Sequence, residues 1–286
     1  MSTVHAPHSR GYSDGMTPRS IALFQVDAFT DRAFAGNPAA VCPLQAWLPD
    51  AVMQKIAAEN ALSETAFLVA RAGDGEFDLR WFTPAVEVDL CGHATLASAF
   101  VVMTRLEPTR TRARFHTRSG ALEVTREGAR YTLDLPARPP AACEPMPGLG
   151  SILGREPVEL LKSRDVMAVF ATAEDVRALA PDMAHLARIP DVFGVIATAP
   201  GKAGGIDDDV DFVSRYFAPA NGIPEDPVTG SAHATLVPYW AARLGRASLR
   251  ARQVSARGGE LSCEHANDRV RLSGEAVLVL EGTLHF

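Results

Sequence analysis

Two stretches of this chain read alike: Trp81-Phe82-Thr83-Pro84-Ala85 and Tyr216-Phe217-Ala218-Pro219-Ala220 lie 135 residues apart. Gly92-His93-Ala94-Thr95-Leu96-Ala97 leads an apolar stretch, and Gly230-Ser231-Ala232-His233-Ala234-Thr235 leads another, 138 residues on. The three added residues fall around Gly222–Pro227. Phe115–Leu122 then lies over Val254–Leu261, and Arg130–Leu133 over Arg269–Leu272, both at an offset of 139. A period this long does not build a solenoid. It predicts two copies of one domain, over 21–137 and 138–275, related by a pseudo-two-fold. Matched loops of the two copies then face each other across a cleft, where ligand sites are commonly found.

The coarse pattern within the first copy is short strands with few helices. Ile21–Phe29 alternates apolar and polar as a strand does, and Asp50–Leu62 carries a helical apolar stripe. Ala66–Ala70 and Phe77–Phe82 read as strands, and Ala94–Arg105 and Ser231–Arg243 as apolar helices. Pro238 is awkward inside the second helix, because proline removes one helical hydrogen bond.

Several function classes are excluded by composition. The formal net charge is −6 and no basic block appears, so nucleic acid is not an expected partner. Residues 1–20 are rich in Ser, Gly, Pro and His without an apolar run; they read as a disordered tail, not a signal peptide. No stretch approaches the ~20 apolar residues of a membrane helix, so a soluble, cytoplasmic protein is expected. The four cysteines are far apart, which fits a reducing compartment better than a disulfide framework. No Gly-x-Gly-x-x-Gly opens a helix after a strand. Cys91 and His93 alone are too few for a zinc site. No metal or cofactor is expected.

Cys91-Gly92-His93 and Thr229-Gly230-Ser231 each place a glycine ahead of an apolar helix. Glycine admits close approach to the backbone, and the first N–H groups of a helix lack internal partners and carry partial positive charge. Two such starts facing each other form an anion trap. Ordinary capping by Thr229 or Ser231 is the competing reading. Asp226, four residues ahead of Gly230, is either a turn residue before Pro227 or a carboxylate that meets a substrate amine or hydroxyl, or acts as a second base. By pattern alone Glu64 reads as a solvated corner residue and His93 as a core histidine. Glu59 and Asn60 read as structural.

The strings Asn60-Ala61-Leu62-Ser63-Glu64-Thr65-Ala66-Phe67, Phe82-Thr83-Pro84, Glu87-Val88-Asp89-Leu90-Cys91-Gly92-His93-Ala94-Thr95 and Glu225-Asp226-Pro227-Val228-Thr229-Gly230-Ser231-Ala232 resemble the PhzF family of phenazine-biosynthesis isomerases. So do Phe24-Gln25-Val26-Asp27-Ala28-Phe29 and Gly36-Asn37-Pro38-Ala39, and the resemblance extends over residues 20–286. It implies an α+β fold of the diaminopimelate-epimerase type. There, two pseudo-symmetric domains each wrap a mixed, barrel-like sheet around a central helix, and the last strand, here 276–286, returns to the first domain. It also implies that Glu64 carries a proton between two carbons of one small carboxylate substrate. Asp226, His93 and Ser231 would position that substrate, and Gly92 and Gly230 would belong to the anion-binding loops. The best-known reaction isomerises a dihydro-hydroxyanthranilate without cofactor, and family members tend to form homodimers.

Epimerases of this fold use two opposed thiols. Cys91 occupies the first position, but Thr229 stands at the second. Cys91 is then a passenger or a helper base, and a helix N-terminus is expected to lower its pKa. The alternatives are an epimerase using Cys91 or a carboxylate pair, a silent carboxylate-binding homologue, and a Cys91–His93 hydrolase without an orienting third group. Specificity is expected in loops such as Gly201–Asp209.

Overall fold

The computed structural model describes residues 19–201 and 206–286. The first half runs β1 (Ser20–Ala28), β2 (Asn37–Leu44), α1 (Asp50–Asn60), β3 (Glu64–Ala70), β4 (Glu76–Phe82) and β5 (Glu87–Val88). It continues through α2 (Gly92–Val101), β6 (Arg112–Thr117), β7 (Gly120–Glu127) and β8 (Arg130–Pro136). The second half starts with β9 (Ala141–Ala142), α3 (Leu149–Leu153), β10 (Glu159–Lys162), β11 (Val166–Val169), α4 (Ala173–Arg177) and α5 (Met183–Leu186). Then come β12 (Val195–Pro200), β13 (Phe212–Phe217), α6 (Gly230–Leu244), β14 (Ser248–Gln253), β15 (Gly259–Ala266), β16 (Arg269–Gly274) and β17 (Ala276–His285).

The tail expected over 1–20 lies, for residues 1–18, outside the described residues. At its end the expectation is corrected. Arg19 bonds the backbone of Phe286, and Ser20 already pairs with His285, because β17 offers β1 a full antiparallel partner.

The pairing order of the two halves is the same. From β1 to β8 the contacts run antiparallel, parallel, antiparallel, parallel, antiparallel, antiparallel along β1-β2-β3-β4-β6-β7-β8. The path β10-β11-β12-β13-β14-β15-β16 repeats that pattern. After β8 the chain pairs with β10 through β9, and after β16 it pairs with β1 through β17. The two paths join where β8 meets β16, and there Leu133 lies opposite Leu272. Those two residues are sequence equivalents at the offset of 139, so the pseudo-two-fold axis passes between them.

Each path packs on one helix: α2 in the first, and in the second α6, which lies against β14, β15 and β16. β1 and β8 lie at opposite ends of the first path, yet both pack on α2, as do β2 and β3. Helix α2 is buried along almost its whole length, which suits a sequence apolar on every face. β8 shows the matching strand pattern: Tyr131, Leu133 and Leu135 point inward, and Thr132 and Asp134 are less buried. Burying each such large apolar side chain contributes about 1.5–3 kcal/mol.

Both central helices differ from their expected bounds. The first begins at Gly92 and changes at Val102–Leu106 into a π-helical turn. The second runs through Pro238 to Leu244. Proline leaves the carbonyl four residues back, that of Ala234, without its usual donor. The backbone N–H of Arg138 fills that place at 2.9 Å. A neighbouring segment thereby lets the helix keep its proline.

Candidate active site

Asn37 and Glu64 open adjacent parallel strands, β2 and β3, with Glu64 in register with Ala39. Helix α1 ends on Ala61 in the left-handed region (φ 50°), and the chain turns there to start β3. Glu64 is therefore the first residue of the strand and only 7% exposed. The solvated-corner reading is corrected, because β3 starts two residues earlier than the apolar pattern shows. Asn60, by contrast, is structural: its amide donates to the Thr65 hydroxyl at 3.1 Å.

The seven residues singled out from the sequence come together. Glu64, Cys91, Gly92, His93, Asp226, Gly230 and Ser231 all line one cavity of about 60 Å³ between the halves. Its apolar wall includes Leu90, Phe193 and Ile223, and Arg164 borders it with its guanidinium 4.2 Å from the Phe193 ring centre. A larger groove of about 410 Å³ lies elsewhere. Its Arg252 and Arg257 are already paired with Asp207, Asp209, Glu260 and Asp27, so size alone does not make it the site. Residues 202–205 of the expected specificity loop lie outside the described residues, and its described part does not border the smaller cavity.

The helix starts of α2 and α6 meet at the axis. A Cβ built on Gly92 would fall 3.0 Å from the Gly230 Cα, so both positions need glycine for the approach itself. Capping by side chains is not found at either start. The Thr229 hydroxyl instead donates to Asp226 Oδ2. One turn on, the halves solve the same problem differently. Thr95 Oγ1 donates to the Cys91 carbonyl at 2.5 Å, and its equivalent His233 binds the Thr229 carbonyl through Nδ1 at 2.8 Å.

Three buried polar residues tie the site together, two of them missed by sequence reading. Asn37 Nδ2 lies 2.7 Å from Asp226 Oδ1, 2.9 Å from the Val228 carbonyl and 3.0 Å from His93 Nδ1. The amide has two hydrogens for these three acceptors. Gln253 accepts the Thr229 N–H at 2.8 Å and donates to the Asp226 carbonyl at 2.7 Å. His93 Nε2 lies 3.0 Å from Glu64 Oε2, but no hydrogen bond points at that oxygen, which is fully buried. Only the Gly-Asn-Pro turn ahead of a strand hinted at Asn37; nothing in the pattern marked Gln253.

Charge in the site follows from burial. Burial, helped by the charge of Glu64, pushes the Asp226 carboxyl up to about 6 against the opposing pull of His93, Thr229 and Asn37. Burial draws the His93 imidazole down, yet the carboxylates of Glu64 and Asp226 outweigh it and hold the pKa above its ordinary value. Cys91 is corrected in sign. Burial and the nearby Glu64 charge push its thiol well up, and the single N–H of Ala94 does not offset them. The site also adds a donor to Cys91 and His93, because β3 brings Glu64 beside them.

Among the described residues no helix is long and apolar enough to cross a membrane. The family model described as phenazine biosynthesis-like protein matches residues 26–282. An uncharacterized isomerase of Pseudomonas aeruginosa is 52% identical over 265 residues, covering 93% of this chain and 99% of that protein. The crystal structure of a PhzF-family phenazine biosynthesis protein from Enterococcus faecalis superposes with a TM-score of 0.87 at 45% identity, covering 94% of this chain and 100% of that one. A probable proline racemase from Agrobacterium radiobacter shares the fold alone, with a TM-score of 0.60 at 14% identity over 92% of each chain.

Proposed function

Because this chain belongs to the phenazine biosynthesis-like family, we propose that it is a cofactor-independent isomerase that moves one proton within a small carboxylate held between its halves. The observation that carries this reading is Glu64: a buried carboxylate on the cavity wall, with one oxygen that accepts no directed hydrogen bond. The substrate carboxylate rests on the N–H groups at the starts of α2 and α6. Glu64 takes a proton from a carbon next to an activated double bond. The freed electron pair shifts that double bond, and the protonated Glu64 returns the proton to the far carbon. Asp226 receives an amine or hydroxyl of the substrate, and His93 and Ser231 orient it. In this reading residues 21–137 with 276–286 form one domain and 138–275 the other.

Cys91 is outside the proton path. Its counterpart Thr229 is engaged with Asp226 and is no thiol, which disfavours a two-thiol epimerase. The test is to incubate the EDTA-treated protein with a dihydro-hydroxyanthranilate in D₂O. NMR follows the double bond, and mass spectrometry follows deuterium at carbon. A shifted double bond without added cofactor is the expected result. Product that appears only after a metal or redox cofactor is restored would overturn the reading.

A further inference from the structure

Beside the proton path lies a cluster that the isomerisation does not use as a unit. Glu64, Cys91 and His93 each offer one donor atom, and those atoms lie within 4.8 Å of one another. Cys91 Sγ is 3.9 Å from His93 Nε2, and Glu64 Oε2 is 3.0 Å from the same nitrogen. Ligands held about 2.0–2.3 Å from a zinc ion stand at comparable mutual distances. All three residues are buried, and Glu64 Oε2 is the oxygen without a directed donor. The positive charge that faces this oxygen is the His93 imidazole, 3.0 Å away, and a cation held by both residues would take over that role.

We propose that Glu64, Cys91 and His93 form a binding site for a thiophilic divalent cation, with Zn²⁺ as the fitting class, and that the ion switches the isomerase off. One sulfur, one nitrogen and one oxygen select zinc-like ions over magnesium or calcium, which prefer oxygen alone. The fourth position opens on the cavity, where a water or the substrate carboxylate completes the coordination. On binding, the Cys91 S–H and His93 Nε2–H bonds break, both protons leave to solvent, S–metal and N–metal bonds form while Nδ1 keeps its proton, and no electron is transferred. Glu64 is then committed to the metal and cannot accept a carbon-bound proton. The inhibition, though not the binding, rests on the proton-carrier role given to Glu64 above.

The full-length, EDTA-treated protein is titrated with Co²⁺ and, in competition, with Zn²⁺. The expected result is one equivalent per chain, with a thiolate-to-cobalt charge-transfer band that Zn²⁺ removes. Cys143, the one cysteine that is not buried, is the control. Cys143→Ser keeps the band; Cys91→Ser abolishes it. Cys91→Ser also weakens Zn²⁺ binding by about 100-fold or more, beyond the ~10–100-fold typical of losing an outer-shell partner. If Cys91→Ser fails to fold by circular dichroism, His93→Gln is titrated in its place and must weaken binding likewise. No band in the wild type, or a band unchanged in Cys91→Ser, would overturn the site. Zn²⁺ bound through Cys91 with turnover undiminished would support the site and overturn the Glu64 role instead.

Discussion

Gly92 and Gly230 touch backbone to backbone: a Cβ on Gly230 would lie 3.1 Å from the Gly92 Cα, a few tenths of an ångström closer than an ordinary contact. The obstacle is main chain, which cannot swing aside. Gly230→Ala therefore parts the two helix starts and moves the proposed anion site away from Glu64. Displacements of this kind near reacting atoms cost up to about 10²-fold in rate, and overpacking costs about 1–3 kcal/mol. Steady-state kinetics and thermal unfolding measure the two separately. Wild-type kcat/KM in Gly230→Ala would show that the contact does not set the site.

Glu64→Gln keeps the shape of the side chain and loses the ability to take a proton. Turnover should fall by about 10²–10⁴ while circular dichroism stays unchanged. Near wild-type kcat on a confirmed substrate would remove Glu64 from the proton path.

Asn37→Ala should act on stability first. Asp226 Oδ1 and the Val228 carbonyl lose their shared donor inside a buried site. Each orphaned acceptor costs about 1–3 kcal/mol, read from urea unfolding. A variant as stable as wild type would mean that water replaces the amide.

Cys91→Ala should retain substantial turnover, since the proposed shuttle runs through a carboxylate. Iodoacetamide-treated wild type and the variant are assayed side by side. Complete loss in both would favour thiol-dependent epimerisation.

How much of this was legible follows from particular residues. The internal repeat predicted the pseudo-symmetry, and its offset even matches Leu133 with its register partner Leu272. Family resemblance singled out Glu64 where periodicity put it in solvent: alternation reads a strand from its apolar positions, and a buried carboxylate at the first position breaks that code. Asn37 and Gln253 were hidden for a related reason. Their partners lie 189 and 27 residues away, and a polar residue gives no sign of burial until the sheet is assembled. The Cys91 pKa was misjudged because the helix terminus is visible in sequence, whereas desolvation and the Glu64 charge are tertiary.

His233 offers a pH test with a definite sign. Burial draws its imidazole down to about 4, below its ordinary 6.5. The neutral ring is the folded form, so its contribution is present above about 6.5 and is lost as pH falls toward 4, amounting to about 3 kcal/mol. Asp226 works oppositely: with its pKa raised from 3.8 to about 6, its contribution is full below 3.8 and lost as pH rises through 6. The wild type shows the sum. His233→Thr installs the residue that the first half uses at the equivalent place, Thr95, and deletes one component. As pH falls from 6.5 to 4, its unfolding free energy should rise relative to that of wild type by up to about 3 kcal/mol. Parallel curves would show that His233 does not titrate on unfolding.

The exchange of strands between the halves also bears on how the chain is made. β1 leaves the ribosome long before its antiparallel partner β17, which ends at His285. At about 5–20 residues per second, β1 waits roughly 10–50 s with one edge bare. The first half therefore cannot mature as a finished unit while the second is still being translated. Cotranslational folding here must hold an open sheet edge shielded until the closing strand arrives.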